Sequence, residues 1–263
     1  MDDILLTTLD GPLMVLTLND PDRANPLSPA MVEALTTGLE KAAGDPEIRA
    51  VILTGAGKHF SAGADLAALE QVAAGGGVEA NLEDSRRLEK LFVTLLGHPK
   101  LSIAAVGGAA VAGGCGLATA CDFVIAESRS RFCYTEIKIG FIAALVSTFL
   151  TRRVPGHVAR RLLLDPEMLD GRRALELGLV DELVDDGECL NQAKELALRI
   201  SRKASPAALA ATKALLNDAV GVPWRDALSF AAEVNVRQRM HPECRRGVRS
   251  FLESKNTPDW LDE

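Results

Sequence analysis

From Leu101 to Cys121 the chain runs 21 residues without a charge, and twelve of them are Gly or Ala. Such a run must be buried on every side, in lipid or in a tightly packed protein core. Glycine and alanine bring little transfer energy into a bilayer, and neither an aromatic belt nor a flanking Lys/Arg cluster accompanies them. The segment therefore reads as a buried strand running into a glycine turn and a close-packed helix.

The surrounding pattern agrees. Leu13 to Leu18 reads as a strand closed by Asn19, Asp20 and Pro21, and Ala50 to Leu53 as a short buried strand before a glycine-rich turn. Between them Ser28 caps a helix with Pro29 in its first turn; Met31, Val32, Leu35 and Leu39 share one face and Gly44 ends it. Ser102 to Val106, Gly113 to Ala120 and Phe123 to Ala126 repeat the order strand, helix, strand. Alternation of this kind predicts an α/β fold. The run Ala73 to Gly77 reads as a mobile break, followed by a helix over about Glu79 to Leu96 with Leu88, Leu91, Phe92 and Leu95 on one side. From Ser201 onward only helical patterns remain, which divides the chain into a core, 1–200, and a helical appendage, 201–263, suited to packing against another subunit.

Composition closes several possibilities. Twenty-nine Lys and Arg against 36 Asp and Glu give a net charge of −7, which argues against nucleic acid or an anionic membrane surface as the main partner. Five scattered cysteines and no recognisable signal peptide point to reduced thiols and a cytoplasmic setting. Gly57-Lys58 is followed by His59 rather than Ser or Thr, so it is not a phosphate loop; Ser61 lacks the preceding glycine of a nucleophile elbow. The four histidines are isolated and no cysteine pair has ligand spacing, so no metal is expected.

Two small-residue loops remain, Gly55 to Leu66 and Gly107 to Gly116, each after a buried strand. They suit either close approach of a ligand to backbone amides at a helix start or tight turns alone. Glu136 stands among apolar residues in Phe132 to Phe141, a segment that otherwise reads as buried, where desolvation would raise its pKa and suit it to proton transfer; the alternative is an exposed strand residue or a salt-bridge partner of Lys138 or an Arg.

Together these segments resemble the crotonase (enoyl-CoA hydratase/isomerase) superfamily over nearly the whole chain. Leu18-Asn19-Asp20-Pro21 through Asn25-Pro26-Leu27-Ser28 is similar to the family's LNRP-x-x-x-NALS opening. Val51 to Gly55 with Phe60 to Leu66 matches its first signature. Ala104 to Gly108 with Gly113-Gly114-Cys115 and Cys121-Asp122 matches its second, and Gly178 to Asp181 and Phe251 to Glu253 fit its later segments. The resemblance implies a spiral core of repeated ββα units with a C-terminal helical region that assembles trimers or dimers of trimers.

It further implies a coenzyme A thioester as substrate and no cofactor beyond that CoA moiety. The carbonyl oxygen would lie between the N–H groups of Ala64 and Gly113, with Glu136 as acid and base. Arg23, Ala24, Ala62, Asp65 and Leu66 match positions lining the nucleotide end of CoA, Asp65 chiefly by fixing its loop, and Lys255 would add a charge from the C-terminal helix. Typical hydratases carry a second glutamate where this chain has Gly116. That departure keeps three expectations in play: an enoyl-CoA hydratase, a single-base Δ3,Δ2-enoyl-CoA isomerase, and a CoA-binding protein without chemistry.

Overall fold

The computed structural model describes residues 3–75 and 77–261. Strands β1 (Leu5–Asp10) and β2 (Leu13–Leu18) form a hairpin that sets Leu5 opposite Leu18. The Ser28 hydroxyl accepts from the Met31 N–H at 3.2 Å and opens α1 (Pro29–Gly44), whose Met31, Val32, Leu35 and Leu39 are buried. Strand β3 (Ala50–Gly55) lies parallel to β2, and a loop leads to α2 (Leu66–Gly75) and α3 (Gly77–Leu96). The run expected to be mobile falls on the junction of these two helices. Gly76 and the side chains at 71–74 lie outside the described residues.

The charge-free stretch supplies β4 (Leu101–Val106), β5 (Ala109–Val111) and α4 (Gly113–Thr119). Next come β6 (Phe123–Glu127), β7 (Arg131–Cys133), a 3-10 turn at Glu136–Ile139, α5 (Ala144–Arg153) and α6 (Gly156–Leu164). The chain closes with β8 (Leu169–Asp170), α7 (Gly171–Glu176), β9 (Glu182–Val184), α8 (Cys189–Lys203), α9 (Pro206–Asp218), α10 (Trp224–Met240) and α11 (Pro242–Ser254). The change of character read at Ser201 falls inside α8.

Two sheets carry this order. The larger runs β1-β2-β3-β4-β6-β9, parallel after the first hairpin, and the smaller runs β5-β7-β8. Each turn of the chain gives one strand to the large sheet, the next to the small sheet, and then a helix: β4-β5-α4, then β6-β7 and α5. The turn through β3 does the same in reduced form, because Ser61 bridges to Ala110 of β5 before α2 begins. That is the expected ββα spiral.

Alternate residues of the central strands feed two cores. Leu16, Val51, Leu53, Ala104 and Val106 pack toward α1, α3 and α4, while Val15, Ile52, Ile103 and Ile125 pack against Ala193, Leu196 and Ala197 of α8. Strands covered on both faces have no place for charge, which explains why residues 101–121 carry none. Among the described residues no helix is long and apolar enough to cross a membrane.

His98 is among the polar groups buried inside this frame. Its Nε2 lies 3.1 Å from the Leu39 carbonyl, and its Nδ1 accepts from the Lys100 N–H at 3.2 Å. Burial holds its pKa below the ordinary 6.5, which favours the neutral ring. The folded chain therefore binds the titrating proton less readily than the unfolded chain. The stability His98 contributes is complete above about pH 6.5 and drains away as the pH falls. Urea unfolding of the wild type and His98→Gln at pH 7.5 and 5 is expected to show the gap between them narrowing at the lower pH.

Candidate active site

The two glycine-rich loops meet at the junction of the two sheets. Asn25 is buried; its Nδ2 donates to the carbonyls of Ala56 at 2.9 Å and His59 at 2.8 Å, and its Oδ1 accepts from the Asp20 N–H at 2.9 Å. The Ser61 hydroxyl donates to the Asn25 carbonyl at 2.8 Å and accepts from the Gly63 N–H at 3.1 Å. These two side chains lock residues 55–63 in place. Further tethers run from Leu27 N–H to the Gly63 carbonyl at 2.8 Å and from Val111 N–H to the Ser61 carbonyl at 2.9 Å.

Ala64 and Gly113 face each other as a result: a Cβ placed on Gly113 would stand 3.8 Å from the Ala64 nitrogen. Among the described residues no acceptor takes the N–H of either. Gly113 begins α4, so its amide points out of the helix with the dipole behind it. The residue before it, Ala112, has φ +49° and ψ −126°, a conformation costly for a residue with a Cβ. Its own N–H is pinned to the Cys133 carbonyl at 2.7 Å, which holds the turn and the amide that follows it.

The same β5–β7 pairing, with Val111 opposite Cys133, carries the chain on to Glu136. Glu136 is buried, and among the described residues its Oε2 has no hydrogen-bond partner. Burial pushes its carboxyl above the ordinary 4.5, and among the described residues no cation pairs with it, so the ion pair with Lys138 or an Arg open from sequence is not formed there. The residues after it differ from expectation: Ile137, Ile139 and Phe141 are exposed rather than buried, as is Ile142 beyond them, so apolar surface follows the buried carboxylate in the chain. Nearby, Cys115 is fully buried and its thiol is pushed up to about 12, which removes it as a nucleophile.

Gly116, on the next turn of α4, has its open side filled. A Cβ there would stand 2.5 Å from Val146 Cγ2 of α5 and 3.5 Å from Phe92 Cζ of α3. The carboxylate that typical hydratases place here is replaced by an apolar wall. Glu136 is the one acid group of the three sequence segments buried at this point.

The residues expected at the nucleotide end divide into a cluster and an outlier. Arg23 donates from Nη2 to Asp65 Oδ2 at 2.7 Å, and the Ala62 N–H donates to the Ala24 carbonyl at 2.8 Å. Asp65 also accepts from the N–H groups of Ala67 and Ala68 at 3.2 and 3.3 Å, so it caps α2, and the Arg23 guanidinium holds its pKa below the usual carboxylate value. Leu66 opens α2 with its side chain exposed. Lys255 stands apart at the end of α11, its ammonium 5.8 Å from the Phe251 ring. A cleft lined by Leu27, Ala64, Asp84, Arg87, Leu88 and Gly113 opens from the paired amides. A larger cavity of about 180 Å³, between α6 and α7, contains none of these groups and is separate from the chemistry.

Comparison with known proteins gives the family. Residues 9–263 match the family model described as enoyl-CoA hydratase/isomerase. A Thermus thermophilus protein with a provisional enoyl-CoA hydratase name is 45% identical over 245 residues, 93% of this chain and 96% of that one. The 2,3-dehydroadipyl-CoA hydratase of Escherichia coli is 32% identical over 97% of this chain and 98% of its own length. Among solved structures, Pseudomonas aeruginosa AtuE superposes with a TM-score of 0.91 at 34% identity, covering 98% of this chain and 99% of that one.

Proposed function

The chain belongs to the enoyl-CoA hydratase/isomerase family, and on that premise we propose that it hydrates the 2,3 double bond of an enoyl-CoA thioester. The observations that carry this reading are the close approach of Ala64 and Gly113, whose N–H groups have no acceptor among the described residues, and a buried carboxylate, Glu136, three residues beyond the strand paired with β5, whose Oε2 has no partner among the described residues. A thioester carbonyl held between the two amides gains a place for the negative charge that builds on its oxygen as water adds at C3. Preorganised donors of this type are worth about 2.7–4 kcal/mol each in the transition state. Glu136, with its affinity for a proton raised by burial, takes the proton from water and returns one at C2. Arg23, Ala24, Ala62, Asp65, Leu66 and Lys255 are proposed to hold the CoA portion, and no further cofactor enters the reaction.

The names of relatives support hydration; the short-chain-enoyl-CoA hydratase of Clostridium acetobutylicum is 34% identical over 85% of this chain. The helices α9, α10 and α11 contribute no buried residue within one chain, and Leu228, Val236, Met240 and Phe251 are exposed on them. That favours assembly as a homotrimer or dimer of trimers through this region. Free cysteines at all five positions suit a cytoplasmic enzyme. The test is loss of the conjugated thioester absorbance of crotonyl-CoA in water.

The wall at Gly116 favours a second reading, in which Glu136 alone carries a proton between C4 and C2 of a 3-enoyl-CoA. A second carboxylate normally shares the handling of water, and here Val146 stands in its place. Label moving from C4 to C2 without hydration would select this isomerase. The packing itself is testable: Gly116→Ala is expected to lower stability by about 1–3 kcal/mol through overpacking. Val146→Ala in the same chain should recover most of that loss, and a denaturation double-mutant cycle giving simple additivity would show that Val146 does not fill the position.

A further inference from the structure

The inner face of α3 changes character along its length. Leu95, Leu91 and Leu88 follow one another at helical spacing, the first two buried and Leu88 packed against the core. One turn further toward the N-terminus the stripe reaches Asp84, and Arg87 lies beside it. Both line the cleft that contains Ala64 and Gly113. A cleft built for a plain hydrocarbon tail would continue the leucine stripe to this turn. A charged pair at that point is suited to an acyl chain that carries charge of its own.

Arg87 is held loosely. Its Nη2 donates to Asp84 Oδ1 at 3.3 Å and its Nη1 is 3.7 Å from Glu83 Oε1, with all three side chains more than a third exposed. Exposed ion pairs of this geometry contribute little stability, so the guanidinium can exchange one carboxylate for another at small cost. Its planar donor fork matches a carboxylate with two parallel hydrogen bonds, which an ammonium could not offer. Asp84 acts in the opposite sense: it competes for Arg87 and repels an incoming anion.

Resting on the thioester reading above, we propose that Arg87 selects acyl-CoA substrates whose chain ends in a carboxylate, and that Asp84 limits the strength of that selection. The free cleft keeps the two paired along the helix; the bound one exchanges Asp84 for the substrate's terminal group.

The test is calorimetric binding of adipyl-CoA and hexanoyl-CoA, equal in chain length and different only in the terminal group, to the full chain and its R87Q and D84N variants. Because neither thioester has a 2,3 double bond, the readout does not depend on turnover. The wild type should bind adipyl-CoA about tenfold more tightly, the scale of one charge-assisted hydrogen bond. The ratio should fall toward one in R87Q and rise above the wild-type value in D84N. Equal binding of the two thioesters by the wild type overturns the proposal. So does an R87Q ratio equal to that of the wild type, the result if Arg87 holds the CoA phosphates common to both. Failure of the wild type to bind either thioester overturns the thioester reading and this one with it.

Discussion

Glu136→Gln is expected to lower turnover of an enoyl-CoA by about 10²–10⁴-fold, the span associated with a positioned acid or base, while leaving acyl-CoA binding in place. Glutamine keeps the shape of the side chain and removes its proton chemistry. The wild-type rate should rise with pH through a carboxyl pKa displaced upward from 4.5 by burial, and the residual rate of the variant should lack that rise. Stability supplies an independent check. The folded state binds the Glu136 proton more tightly than the unfolded state, so this group makes the protein less stable as the pH rises from about 4.5 through the raised value. In Glu136→Gln that component vanishes, and the variant should be as stable as the wild type or more so near pH 7. Steady-state rates and urea midpoints measured on the same preparations between pH 4.5 and 8 check both statements. A variant that loses activity together with stability would point to misfolding, and one that keeps full activity would remove Glu136 from the reaction.

How far the sequence reveals this site depends on the range of each constraint. The capped helix α1, the strands β2, β3, β4 and β6 and the short helix α4 follow from local pattern, because burial on one or two faces imprints a period on neighbouring residues. The small sheet leaves no such imprint. β5 and β7 are three residues long and β8 is two, and β5 lies between glycine pairs with no alternation to read. Yet that sheet sets Val111 opposite Cys133 and so ties the strand that leads to Glu136 to the strand that leads to Gly113. Asn25 and Ser61 were similarly hidden. Asn25 falls within a recognisable motif and Ser61 is legible only as a failed nucleophile elbow; what they do is bond backbone 31 to 36 residues away. The missing second glutamate was visible as Gly116, but the side chain that fills its place, Val146, comes from a helix whose position no local pattern specifies.

Gly63→Ala is the complementary change, because it alters no reacting group and should still abolish most of the activity. Gly63 has φ +89°, and a Cβ there would meet the Val111 carbonyl oxygen at 2.7 Å, Ala112 Cβ at 2.8 Å and the Gly113 nitrogen at 2.9 Å. Two of these three atoms belong to backbone, so the clash cannot be relieved by turning a side chain. Either the loop carrying Ala64 or the turn carrying Gly113 must retreat, and the two N–H groups then no longer converge on one oxygen. Loss of a single such donor costs about 10²–10³ in rate, which sets the floor of the expected effect. Gly11→Ala separates this from ordinary backbone strain: Gly11 has φ +55° in the β1–β2 turn with nothing within 4 Å of the added carbon. It should lose about 1 kcal/mol of stability from the left-handed backbone and none of the rate. Rates and unfolding midpoints of the two variants, compared side by side, decide the matter. Equal rates in both would mean that the facing amides of Ala64 and Gly113 are a packing contact and that the carbonyl is polarised elsewhere. A rate loss confined to Gly63→Ala, larger than its loss of folded protein explains, would tie catalysis to the spacing of those two nitrogens.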